Sequence, residues 1–327
     1  MFEKLEGAKR LLLEAELVPV QGDRFQPTGF PDLGAATYHL ADGTRMLLVE
    51  SAQSMANRLE STIIGQDNEL IEDLKGLSFI RAHLSGDSDT TTNSLIEAHR
   101  INSPFIISDE SFQKEFREAA GYELTAPLNW KKIASTLFRY DVNSLLHGVF
   151  LANLGDGRIK MPRALSGFIE AKNVQEAVSG GVKFNPIDPS GTLRAKKYDK
   201  DVYGNVPYQR VEYTAEEITA YFNLDVGLLD SYDLGKDAFD LLIALALYKI
   251  EVFLGKETRL RTACDFKVKG GLKTTEPDGF DIPNQKDLLD LLKAKIEACN
   301  SMFADPPVTV INTETVTKKK SESTESE

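Results

Sequence analysis

Cysteine is scarce in this chain. Its only two, Cys264 and Cys299, can build neither a disulfide framework nor a cysteine-based zinc cluster. That suits a reducing cytosol. The four histidines, His39, His83, His99 and His147, stand far apart, and none pairs with a second His or Cys at metal-ligand spacing. No metal and no cofactor are expected. Long apolar runs are also missing. The most apolar stretch, AFDLLIALALYKIEVFL over 238–254, is interrupted by Asp240, Lys249 and Glu251. It reads as a buried helix, not a membrane span. The opening MFEKLEGAKR has no apolar run behind its charges, so no signal peptide is expected and a cytoplasmic location is. There is no P-loop and no Gly-x-Gly-x-x-Gly after a strand. Gly180-Gly181 and Gly270-Gly271 read as turns. Ser51 and Ser54 lack a Gly-x-Ser-x-Gly elbow, and a helix cap and a helix-face position explain them better. The chain announces no active site.

What remains is an ordinary globular composition: 327 residues, 42% hydrophobic and 27% charged. A chain of that length buries a large core without staples. The net charge of −12 argues at first against a nucleic-acid partner. Its distribution is uneven. Residues 131–210 carry 13 Lys/Arg against 7 Asp/Glu, whereas 1–130 carry 11 against 21 and 211–327 carry 14 against 22. A basic middle between acidic flanks fits a cationic face on an acidic body. Chance clustering on a solvated surface fits the same numbers.

Alternating apolar residues predict strands over 10–20, 46–49, 78–84, 164–174, 218–226 and 258–266. Ser51 is a candidate N-cap for a helix over 51–60. Further helices are expected over 69–75, 111–120 and 238–254, and over 286–299 behind an Asn284 cap. Lys131–Phe138 and Ser144–Leu151 read as further elements. Asp156-Gly157 marks a turn, and 86–93 reads as loop. The segment 180–205, with four glycines, two prolines and Arg194, Lys196 and Lys197, reads as a long irregular excursion. The low-complexity end of the chain reads as a disordered tail. Strand–helix–strand spacing occurs twice: 10–20, 51–60 and 78–84, then 218–226, 238–254 and 258–266. That points to an α+β core of the split βαβ, ferredoxin-like kind.

Polar and basic residues crowd the starts of several elements. Ser51, Gln53, Ser54, Asn57 and Arg58 lie on the first turns of one helix, where backbone N–H groups favour a phosphate. His99, Arg100 and Asn102 precede Ser103-Pro104-Phe105, and Arg139, Tyr140, Asn143 and His147 form another mixed group. Aromatic and Arg side chains stack on unpaired bases, and Lys and Arg take phosphates. Taken singly, each group also fits an ordinary exposed face. Together with the basic excursion they favour single-stranded nucleic acid.

Seven strings carry a family resemblance: PVQGDRFQPTGFPDLGAA (19–36), LLVESAQSMANRLE (47–60), EAHRINSPF (97–105), FRYDVNSLLHGVFL (138–151), RALSGFIEA (163–171), YGNVPYQRVEYTA (203–215) and RLRTACDF (259–266). In this order they resemble the RAMP-type backbone subunit of type I-G (formerly I-U) CRISPR effector complexes, the family seven protein of Cascade. The resemblance implies a modified RRM/ferredoxin-like palm with inserted finger and thumb segments. It implies one elaborated domain over 1–305, with a thumb over about 180–206; the disordered low-complexity tail over 306–327 lies outside the resemblance. Copies would stack head to tail along a guide crRNA and hold its backbone, so that bases pair with target DNA in antiviral defence. Such stacking gives an open filament capped by other effector subunits. A separate helicase-nuclease would be recruited for degradation, so the subunit is itself no enzyme. No membrane partner is implied.

By motif position, Ser54, Asn57 and Arg58 would face the guide, and Lys183, Arg194, Lys196 and Lys197 would sit on the thumb. Arg259 and Arg261 would line the palm, and Arg100, His147 and Arg163 are second-rank RNA contacts. The alternative is a metal-dependent endonuclease cutting target RNA. It would use an Asp of the loop after the first strand, Asp23 or Asp32. The acidic total is the one departure from the expected pattern.

Overall fold

In a computed structural model of the chain, residues 2–30, 33–86, 89–193, 204–255 and 258–315 are described. A seven-stranded sheet organises them, and every neighbouring pair is antiparallel. From edge to edge its strands are Thr258–Arg261, Cys264–Glu276, Leu11–Pro19, Glu217–Leu224, Leu165–Lys172, Arg45–Glu50 and Thr37–His39.

The alternation read in Leu11–Pro19 is physical. Leu11, Leu13, Ala15 and Leu17 are buried, and the residues between them are half-buried. Leu165, Gly167, Ile169 and Ala171 do the same one strand further on. Helix Ala52–Ser61 lies against that strand. A Cβ on Gly167 would stand 3.1 Å from Met55 of the helix and 2.8 Å from the Phe222 ring, so only glycine admits so close an approach. The second helix on this side, Lys236–Gly255, is apolar almost all round and buried along most of its length. The opposite face is half-exposed. Phe168 and Tyr221 stack there at 5.1 Å beside Glu14, Glu16 and Glu170.

Four central strands and two helices follow the split βαβ path. Leu11–Pro19 leads to helix Ala52–Ser61 and then to Leu165–Lys172. Glu217–Leu224 leads to helix Lys236–Gly255 and then to Cys264–Glu276. The expected partner for the first helix, 78–84, is elsewhere. Phe79–Gly86 sits in a separate three-stranded sheet, between Val308–Thr315 and Thr90–Asn93. The first crossover therefore carries a large insertion, residues 62–164. It contains helices Pro104–Ile107, Glu110–Ala119, Trp130–Tyr140 and Val142–His147, and the hairpin Val149–Leu151 with Ile159–Met161. One hydrophobic cluster runs through the sheet, both crossover helices and the insertion.

Four more expectations change. Residues 69–75 supply only a 3-10 turn, Glu72–Leu74. The expected loop over 86–93 ends in the strand Thr90–Asn93. The expected strand over 258–266 is a hairpin, and its second arm runs on to Glu276. Residues 306–315, expected as tail, include the strand Val308–Thr315, which pairs in parallel with Phe79–Gly86 and buries Ile311 and Thr313. Its alternation of β-branched residues outweighs its polar composition. The rest of that tail, 316–327, lies outside the described residues. The excursion after Gly180 is in part regular: Gln175–Lys183 and Val206–Thr214 form a two-stranded ribbon. Among the described residues no helix is long and apolar enough to cross a membrane.

Candidate functional site

Helix Ala52–Ser61 has a buried carboxylate at each end. Ser51 caps it, its Oγ accepting from the Ser54 N–H at 3.3 Å. One residue earlier, the fully buried Glu50 receives three donors: the Ser54 hydroxyl, Arg58 Nε and Arg261 Nη2. Arg58 also donates to the Leu260 carbonyl at 2.6 Å, and Arg261 to the Val49 carbonyl at 3.3 Å. A carboxylate out of water needs such pairing. The two arginines thereby clamp the edge strand Thr258–Arg261 to the helix.

At the other end, Glu60 takes a bidentate pair from Arg100, both distances 2.7 Å. Arg100 donates its third nitrogen to the Gly148 carbonyl at 2.8 Å. Gly148 has φ +76°, and a Cβ there would stand 2.9 Å from the Met161 carbonyl oxygen; glycine alone fits. Asn143 Nδ2 donates to Glu60 Oε1 at 3.0 Å, and Lys249 donates to Asn143 Oδ1. Lys249 Nζ also lies 2.9 Å from His147 Nε2. Burial pushes the Lys249 ammonium down to about 7 and, with Lys249 and Arg100 nearby, holds the His147 imidazole well below its usual range. Asp141 is pushed up by burial to about 6, against the Ser144 hydroxyl that it accepts at 2.6 Å. Asp141 Oδ1 and His147 Nδ1 have no hydrogen-bond partner among the described residues.

An open cleft of about 750 Å³ lies beside this second cluster, lined by residues of the insertion. His99, Arg100, His147, Lys160 and Arg163 line it with Asn102, Asn153 and Phe150, and among the described residues the lining includes no Asp or Glu. Arg163 meets only neutral acceptors: the His147 carbonyl at 3.5 Å, the Ala52 carbonyl at 3.1 Å and Gln53 Oε1 at 2.9 Å. Lys160 faces Phe150 across the hairpin, its Nζ 4.9 Å from the ring centroid. Two cations thus stand here without a carboxylate partner among the described residues.

The residues singled out from the sequence fall into separate groups. Ser54, Arg58 and Arg261 converge on Glu50. Arg100, His147 and Arg163 meet at the cleft. Asn57 is exposed on the helix and accepts from Gln53 at 3.3 Å. Arg259 is exposed and lies 3.6 Å from Asp265. Lys183 is exposed at the far end of the ribbon. Arg194, Lys196 and Lys197 lie outside the described residues, as does Asp32. Asp23 is exposed. Among the described residues no group of three or more His, Cys, Asp or Glu is placed to hold a metal.

Sequence reasoning missed Lys160 and Phe150. A signal was present: Asp156-Gly157 is flanked by alternating apolar residues, the mark of a hairpin whose arms set the two side chains opposite each other. It also missed Glu50 and Glu60, which follow from no pattern of charge alone.

No curated protein matches the chain. Solved structures similar to it include a chain of a CRISPR RNA-guided surveillance complex, pre-nicking, at 12% identity, covering 89% of each chain with a TM-score of 0.42. Another is Thermofilum pendens Csc2, at 11% identity, covering 90% of this chain and 77% of that one with a TM-score of 0.32. A family model matches residues 11–176, half of the chain, from the first sheet strand through the insertion into the ribbon. The chain belongs to the CRISPR-associated protein GSU0053 family.

Proposed function

We propose that this chain is a non-catalytic backbone subunit of a type I CRISPR effector complex, of subtype I-G. Copies polymerise head to tail along a guide crRNA and leave its bases free to pair with target DNA. Other effector subunits cap the filament, and a separate helicase-nuclease carries out degradation. The split βαβ core serves as the RRM-like palm, the insertion 62–164 as the finger and the ribbon Gln175–Lys183 with Val206–Thr214 as the thumb.

The observation that carries this is the cleft of the insertion, whose lining among the described residues includes no Asp or Glu and whose Arg163 reaches the start of helix Ala52–Ser61. In a chain of net charge −12, a concave surface with two carboxylate-free cations is selective for an anion such as an RNA phosphate. The acidic remainder repels nonspecific nucleic acid. Arg163 and Lys160 are the leading phosphate contacts, with Asn57 and Lys183 exposed and Arg194, Lys196 and Lys197 as further thumb cations. Arg58, Arg100 and Arg261, held by Glu50 and Glu60, shape the surface.

The test is co-expression with a CRISPR array and the neighbouring subunits, purification at moderate salt and sequencing of the bound RNA. Spacer-containing guides of uniform length are expected. Protein free of RNA, or carrying random cellular RNA, would overturn the assignment.

A further inference from the structure

We propose that the cleft at the Phe150–Lys160 hairpin holds one unpaired nucleotide of a single-stranded nucleic acid, its phosphate on Arg163 and its base against the Phe150 ring. This rests on the nucleic-acid reading above and adds a base platform to it.

Three observations converge. Phe150 is 49% exposed on a short strand whose neighbours Val149 and Leu151 are buried. The fold therefore holds the ring outward on a rigid hairpin. Lys160 lies against that ring at 4.9 Å, a cation–π contact that orients the ring and adds positive charge beside it. Arg163, at the same cleft, has its guanidinium fixed by three neutral acceptors and no carboxylate among the described residues. A fixed guanidinium with no carboxylate hydrogen-bonded to it suits a phosphate oxygen. The cleft, at about 750 Å³, has the size of a small-ligand site and is open. A ring, a phosphate-binding cation and room between them are the parts that recognise an unstacked nucleotide. The half-exposed face of the large sheet offers Phe168 and Tyr221 instead, but beside Glu14, Glu16 and Glu170. Those carboxylates disfavour a polyanion.

The chain's single tryptophan, Trp130, allows a clean reporter. In the full chain carrying Trp130→Phe and Phe150→Trp, single-stranded oligonucleotides should quench the fluorescence, and inorganic phosphate alone should not. Phe150→Leu keeps the apolar bulk and removes the ring, and should weaken oligonucleotide binding about tenfold; Phe150→Trp should retain it. Circular dichroism verifies that each variant is folded. Ribo- and deoxy-oligonucleotides of one sequence are run in parallel. A larger Phe150→Leu loss with RNA places a guide nucleotide in the cleft, and with DNA a nucleotide of the target or displaced strand. Undiminished binding by Phe150→Leu, with no quenching of the reporter, overturns the subsite and leaves the backbone reading standing. No oligonucleotide binding by the wild-type chain overturns both.

Discussion

Lys249 Nζ and His147 Nε2 lie 2.9 Å apart, with both side chains buried. The lysine comes from the apolar helix Lys236–Gly255 and the histidine from the insertion. Through Asn143 and Glu60 the contact continues to Arg100 at the cleft. A polar chain thus crosses from the core to the candidate site, and every link in it is specified by geometry.

That chain makes stability depend on pH. A lysine in the unfolded chain keeps its proton to about pH 10.4, whereas buried Lys249 releases it near 7. Between these values the unfolded state binds more protons, so the contribution of Lys249 to stability rises with pH. The slope reaches at most about 1.4 kcal/mol per pH unit. Above about pH 8.5 the opposite sign enters. Cys264 and Cys299 are pushed up by burial to about 11, and the unfolded thiols lose their protons first. His147 and Asp141 act below pH 7 with opposing signs, the histidine favouring higher pH and the aspartate lower. The cleanest window is pH 7 to 8.5. There the wild-type melting temperature should climb relative to that of Lys249→Met by a few degrees. Parallel curves for the two proteins would show that Lys249 does not titrate there.

Glu50 is the second place where charge is held inside. Removing the carboxylate alone leaves Arg58 and Arg261, each about one-quarter exposed, without their shared counter-ion. Glu50→Ala should therefore cost about 3–5 kcal/mol by chemical denaturation. Replacing all three, Glu50→Met with Arg58→Met and Arg261→Leu, should cost much less than the sum of the single changes, because no charge is stranded. If Glu50→Ala were as stable as the wild type, the two arginines would not depend on it, and their assignment to the scaffold would fall.

Much of the core was legible because its signals are local. The alternation in Leu11–Pro19 and Leu165–Lys172, the cap at Ser51 and the apolar helix ending at Gly255 each follow from side-chain periodicity or capping. Partner choice is not local. Phe79–Gly86 has the pattern of a sheet strand, but its pairing with Val308–Thr315 spans more than two-thirds of the chain. The candidate site failed in the same way. Arg58 and Arg261 read as free cations from the sequence, because the carboxylate between them becomes buried only when two strands and a helix meet. Lys160 and Phe150 matter because a hairpin sets them opposite each other, and neither stands out alone.

The cleft makes the last prediction quantitative. Phosphate contacts release counter-ions, so the logarithm of affinity falls linearly with the logarithm of salt, by about 0.7 per contact on a single strand. Arg163 and Lys160 have no carboxylate partner among the described residues, so each should contribute fully. Arg163→Ala or Lys160→Ala should weaken guide binding at low salt and shallow the slope by about one contact's worth. Arg259, 70% exposed but 3.6 Å from Asp265, is already partly neutralised. Arg259→Ala should leave the slope nearly unchanged. The measurement is a salt titration of guide-RNA affinity for the four proteins, by filter binding or anisotropy. Equal slopes in all four would place the phosphate contacts elsewhere, and the ribbon with its basic 194–197 segment would become the surface to mutate.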